Sequence, residues 1–104
     1  MSRPDALDPA ATAAWLSDHP AWSVEEGHLV RVLRLRSYRD GARLVGAQVD
    51  LAERLDHHPV VTVGFREVRL ELWTHDRDAV TTLDLAYAEG FEELVATLFA
   101  DALA

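Results

Sequence analysis

The 104-residue chain has no cysteine, which excludes disulfides, thiolate metal sites and cysteine nucleophiles together. Lysine, asparagine and isoleucine are also absent, and all ten basic residues are arginine. Those three missing residues use A/T-rich codons, so their absence reflects a GC-rich bacterial genome and carries no functional signal. No stretch reaches the roughly 18–20 apolar residues of a membrane span. Met1-Ser2-Arg3-Pro4-Asp5 lacks the apolar core of a signal peptide, so a cytoplasmic protein is expected. Positive charge is scarce: ten basic against 18 acidic residues leave a net charge of -8. This argues against binding to nucleic acid or to an anionic membrane, both of which need a basic face. A glycine-rich phosphate loop is missing as well. What is present is a 49% hydrophobic, 27% charged composition, too apolar for disorder and of a length for one domain over residues 1–104.

The chain reads as helix, hairpin, helix, hairpin, helix. Asp8-Pro9 is an N-cap followed by proline at the first helical position, and His19-Pro20 ends that helix near Asp18. Trp22-Ser23-Val24, a turn at Glu25-Glu26-Gly27 and Leu29 to Arg36 form the first hairpin. Leu29, Leu33 and Leu35 share one face with Arg31, while Val30 and Val32 share the other with Arg34 and Arg36. Asp40 is expected to cap a helix running to Leu55, with Leu44, Leu51 and Leu55 beside Val45, Val49 and Ala52 on a wide apolar face. The second hairpin pairs Val60 to Phe65 with Glu67 to His75, where Val68, Leu70, Leu72 and Thr74 alternate with Arg69, Glu71, Trp73 and His75. A last helix from Thr81-Thr82 to about Ala102 buries Leu83, Tyr87, Leu94, Leu98 and Phe99. This order predicts an α+β fold, α-β-β-α-β-β-α, with a four-stranded antiparallel sheet and helices on one face.

The histidines carry the chemistry. His57 and His58 precede the first strand of the second hairpin, and His75 closes its partner. Antiparallel pairing therefore brings all three to one end of the sheet. Imidazoles with an ordinary pKa near 6.5 suit proton transfer at neutral pH. Taken singly, each has a plain alternative as a helix-terminal or strand-end residue. A metal site is disfavoured: adjacent histidines rarely chelate one ion, and no His-x-x-x-His or HExxH motif occurs. The only serines, Ser2, Ser17, Ser23 and Ser37, lack a nucleophile elbow.

Glu53-Arg54-Leu55-Asp56-His57-His58-Pro59, then Phe65, Thr74-His75-Asp76 and Asp84, resembles the pterin-4a-carbinolamine dehydratase family. That signature is a charged residue, three spacers, His-His-Pro, an aromatic, a histidine ten positions on and a downstream aspartate. Glu53, His57, His58, Pro59, Phe65, His75 and Asp84 satisfy each element in register, and the likeness extends upstream through Trp22, Gly27 and Leu33-Leu35. Val60-Val61-Thr62-Val63-Gly64 is more apolar than the equivalent stretch of many relatives, and Asp78-Ala79-Val80 lacks their glycine. The resemblance implies a lyase that dehydrates a 4a-hydroxytetrahydropterin to the quinonoid dihydropterin in tetrahydrobiopterin recycling. It implies no metal or organic cofactor and a homodimer or homotetramer. The alternative is a non-catalytic assembly or interaction protein on the same fold.

On that resemblance His57 and His75 form the acid/base pair and His58 positions the pterin. Asp84 lies three residues after Thr81, a capping-box spacing, and the sequence favours that cap, although the same carboxylate can also orient a histidine. Glu53 lies four residues before His57, where a shared helix face would pair the two. Pro59, Phe65 and Trp22 complete the expected substrate-binding set; Trp22 can stack on a flat pterin, although tryptophan at a strand start is more often core.

Overall fold

The computed structural model describes residues 4–104. Asp8 caps α1 (Pro9–Asp18) by accepting the Ala10 N–H at 2.8 Å, and Pro9 occupies the first turn, where a missing N–H costs nothing. β1 (Trp22–Glu25) and β2 (His28–Arg34) are joined by Glu26 and Gly27 alone. Both turn residues have positive φ, 51° and 80°, the requirement of a type I′ hairpin. The turn is thus one residue tighter than expected, with Glu25 paired to His28.

The middle helix differs from its expectation in two ways. Ser37, not Asp40, caps it, accepting the Asp40 N–H at 3.1 Å. Asp40 lies in the first turn and pairs with Arg43 instead. The helix also divides into α2 (Tyr38–Ala47) and α3 (Val49–Leu55) at Gln48. Gln48 is buried and its Oε1 accepts the Tyr87 hydroxyl at 2.7 Å, so tertiary bonding holds the tightened junction. Leu44, Leu51 and Ala52 are buried as expected, while Val49 is 45% exposed. Gly41 lets α2 approach the sheet: a Cβ there would lie 3.3 Å from Val68 Cγ2.

β3 (Val60–Val63) and β4 (Glu67–Leu72) form the second hairpin. The sheet is antiparallel in the order β1-β2-β4-β3, so the hairpins join through β2 and β4. Leu29, Leu33, Val68, Leu70 and Leu72 are buried on one face, packed with Leu44, Leu51, Tyr87 and Phe91 from the helices. Arg31 shares that face and is neutralised by Glu92, Nε to Oε1 2.6 Å. On the open face Val30 is buried and Val32 is 39% exposed.

β4 stops at Leu72, short of His75, because the Thr74 N–H turns to the Ala79 carbonyl at 2.9 Å and closes a tight loop. β3 likewise ends at Val63, before Phe65. Leu35 and Arg36 lie beyond β2, and Leu35 bridges Leu103. The last helix, α4 (Thr82–Leu98), is shorter than expected and passes into a 3-10 turn at Ala100–Ala102. Its buried stripe runs through Asp84, Tyr87, Ala88, Phe91 and Val95. The next position on that stripe is Phe99, so Leu98, expected inside, points to solvent.

Candidate active site

The site starts with the way α3 ends. Asp56 adopts the left-handed conformation at φ 49°, ψ 46°. Its N–H reaches the Glu53 carbonyl at 3.1 Å, and the His57 N–H reaches Ala52 at 3.0 Å. This paired closure turns the chain off the helix axis. His57 therefore does not continue the helical face that carries Glu53. Glu53 approaches His58 instead, Oε1 to Nε2 3.5 Å, between two exposed side chains. The expected Glu53–His57 pairing is corrected by that cap.

Turned inward, the His57 ring meets α4. Its Nε2 lies 2.5 Å from Asp84 Oδ1, and both residues are buried, Asp84 completely. Asp84 Oδ2 accepts the Thr81 N–H at 2.8 Å and the Thr74 hydroxyl at 3.0 Å. The two readings of Asp84 hold together: one oxygen completes the capping box of α4 and the other orients His57. A carboxylate only accepts, so the imidazole donates from Nε2, leaving Nδ1 to exchange a proton. Thr74 also bonds Thr81, Oγ1 to Oγ1 2.7 Å, which fixes the β4 end against the helix cap. Sequence reasoning did not place Thr74 in the site; its signal was a polar residue in the buried register of Val68, Leu70 and Leu72.

His57, His58 and His75 converge, as hairpin geometry requires. With Asp56, Thr74 and Asp76 they line a cleft of about 300 Å³, within the range of small-ligand sites. His57 is at its base, and His58 and His75 are exposed at its rim. Pro59 follows directly and leads into β3. Two expected substrate contacts are elsewhere. Phe65 occupies the turn at the opposite end of the hairpin and is 74% exposed. Trp22 is buried in β1 at the sheet's far edge, its Nε1 donating to Glu92 at 2.8 Å and its ring meeting Phe91. The plain reading of Trp22 as core is the correct one. Trp73 was not anticipated: its indole lies 4.6 Å from the His75 ring. Among the described residues, no three His, Cys, Asp or Glu side chains converge as a metal-ligand set. None of the described helices is long and apolar enough to cross a membrane.

The chain is thus an α+β protein in which a buried histidine–carboxylate pair shares one cleft with two further histidines. The family described as pterin 4 alpha carbinolamine dehydratase matches residues 5–94, and the chain belongs to that family. Two curated relatives are named "Putative pterin-4-alpha-carbinolamine dehydratase". One, from Natronomonas pharaonis, is 40% identical over 74 residues, covering 71% of this chain and 80% of the relative. The other, from Streptomyces coelicolor, is 36% identical over 91 residues, covering 86% and 90%. Among solved structures, a transcriptional coactivator/pterin dehydratase from Brucella melitensis superposes with TM-score 0.81 at 22% identity, covering 86% of this chain and 98% of that one. A pterin dehydratase-like RuBisCO assembly factor of the alpha-carboxysome superposes with TM-score 0.58 at 19% identity, over 70% and 84%. These two structures establish a shared fold.

Proposed function

We propose that the chain is a lyase that dehydrates 4a-hydroxytetrahydropterin to quinonoid dihydropterin, as in tetrahydrobiopterin recycling. The observation that carries this reading is the buried His57–Asp84 pair at the base of a cleft shared with His58 and His75. In the reaction the C4a–O bond breaks and the hydroxyl leaves as water, taking a proton from an imidazolium. A second proton passes from the pterin ring nitrogens to another imidazole. The balance is loss of one water with no change of oxidation state, so the step calls for no redox cofactor. His57, oriented by Asp84, and His75 are the acid/base pair; His58, at the rim beside Glu53, positions the ring. The direct test is a stopped-flow assay of carbinolamine dehydration with the purified protein. Acceleration over the uncatalysed rate supports the assignment, and a folded protein without acceleration refutes it.

A non-catalytic interaction role is the second reading. It is favoured by Phe65, 74% exposed at the hairpin tip, and by the exposure of Val60 and Val63 on edge strand β3. A solved structure that shares this fold is described as a pterin dehydratase-like RuBisCO assembly factor, which supports this second reading. The same exposed edge supports self-association, and a homodimer or homotetramer belongs to the proposal.

A further inference from the structure

Each histidine of the cleft needs something to hold its ring. His57 has Asp84 and His58 has Glu53, whereas the ring of His75, among the described residues, is in contact with Trp73. Trp73 is itself engaged on the open sheet face by His28, the first residue of β2: the rings are 4.0 Å apart and within 6° of parallel. Leu29 faces Leu72 in the β2–β4 ladder, so His28 and Trp73 are the next pair outward. Cross-strand neighbours on one face pack most closely at this spacing.

His28 is fixed in turn. Its Nδ1 lies 2.5 Å from Glu71 Oε2, so Nδ1–H donates to that carboxylate, and Nε2 is directed toward Asp78 Oδ1 at 3.8 Å. Arg69 Nη1 donates to Glu71 Oε1 at 3.0 Å and its Nη2 lies 3.3 Å from Glu25 Oε1. Hydrogen bonds from His28 first and Arg69 second hold the Glu71 carboxyl below its ordinary range, so the acceptor stays ionised at neutral pH. The chain of contacts from Arg69 through Glu71, His28 and Trp73 ends on His75.

We propose that His28 and Trp73 are positioning residues for His75, with Glu71 locking the His28 ring so that the stacked indole holds the imidazole over the cleft. This rests on the dehydratase reading for its catalytic consequence, but the packing relation can be read independently. A rim histidine free to rotate spends little time in the geometry of proton transfer, so loosening its support lowers kcat more than it raises KM.

The test compares wild-type protein with His28→Ala, Trp73→Ala and Trp73→Phe. Side-chain NMR follows the His75 ring protons, which the indole ring current displaces, with His57 as an internal control of the fold. Loss of that displacement in His28→Ala and Trp73→Ala, with its partial return in Trp73→Phe and His57 unchanged, is the expected result. In the assay, His28→Ala is expected to lower kcat about ten-fold while KM stays within about two-fold. Unmoved His75 resonances in both alanine variants would overturn the positioning role. An equal rise in KM with unchanged kcat would also overturn it, showing simple substrate contact. If the wild-type protein has no dehydratase turnover, the functional reading fails, and the NMR comparison alone decides whether His28 and Trp73 hold His75.

Discussion

His57 and Asp84, 27 positions apart, meet at 2.5 Å with the carboxylate wholly buried. The same carboxylate closes the N-terminus of α4, so site and helix cap share one residue. Asp84→Asn keeps the shape and one acceptor but cannot satisfy His57, Thr74 and the Thr81 N–H alike. We expect a stability loss of roughly 1–3 kcal/mol and a fall in turnover of about 10²-fold. Thermal denaturation and the dehydration assay read the two effects separately; wild-type turnover would show that Asp84 only caps the helix.

The histidines should separate by burial. His57→Ala removes a buried partner of Asp84 and is expected to cost about 1–3 kcal/mol, whereas exposed His75→Ala should stay within about 0.5 kcal/mol. Both should lower turnover by roughly 10²-fold, although the spontaneous reaction compresses the measured contrast. Wild-type rates in both variants would refute their proton-transfer roles.

Burial raises the Tyr87 hydroxyl above its ordinary range, and that hydroxyl donates to Gln48. A group raised in the folded state contributes stability that is complete below its unfolded pKa, about 10, and declines as pH rises beyond it. Denaturant titrations from pH 8 upward should therefore show an alkaline decline that Tyr87→Phe removes. Glu71 has the opposite sign. Its depressed carboxyl contributes stability above the ordinary glutamate range, and this is lost as pH falls through the lower folded value. Glu71→Gln should flatten that acid limb; an unchanged limb would show that the His28 and Arg69 bonds add no stability.

A strand edge and exposed apolar side chains predict self-association. Val60, Val63 and Phe65 expose apolar surface along and beyond β3, whose outer edge has no ladder partner among the described residues. We expect at least a homodimer, kept soluble by the net charge of -8. Light scattering at micromolar concentration tests this: a mass of 11.6 kDa, unchanged on concentration, excludes it.

Much of the site was legible from the chain alone. Alternation along Glu67–Leu72, the Asp8-Pro9 start and the positive-φ turn at Gly27 are local rules acting over two to four residues. Antiparallel pairing then carries His57, His58 and His75 to one rim without knowledge of any side-chain contact. Tertiary structure decided the rest. Whether Glu53 meets His57 or His58 depends on a left-handed turn at Asp56, a residue type that also fits ordinary helix continuation. Phe65 and Trp22, in register with a family signature, lie away from the cleft because strand length and sheet order determine distance in space. The Gln48–Tyr87 bond that holds the broken middle helix, and the stacking of His28 on Trp73, whose indole meets His75 at a tilt, join segments far apart in sequence. Local propensity acts through neighbouring backbone groups and side chains, whereas these contacts exist only once α4 lies across the sheet and the two hairpins have paired.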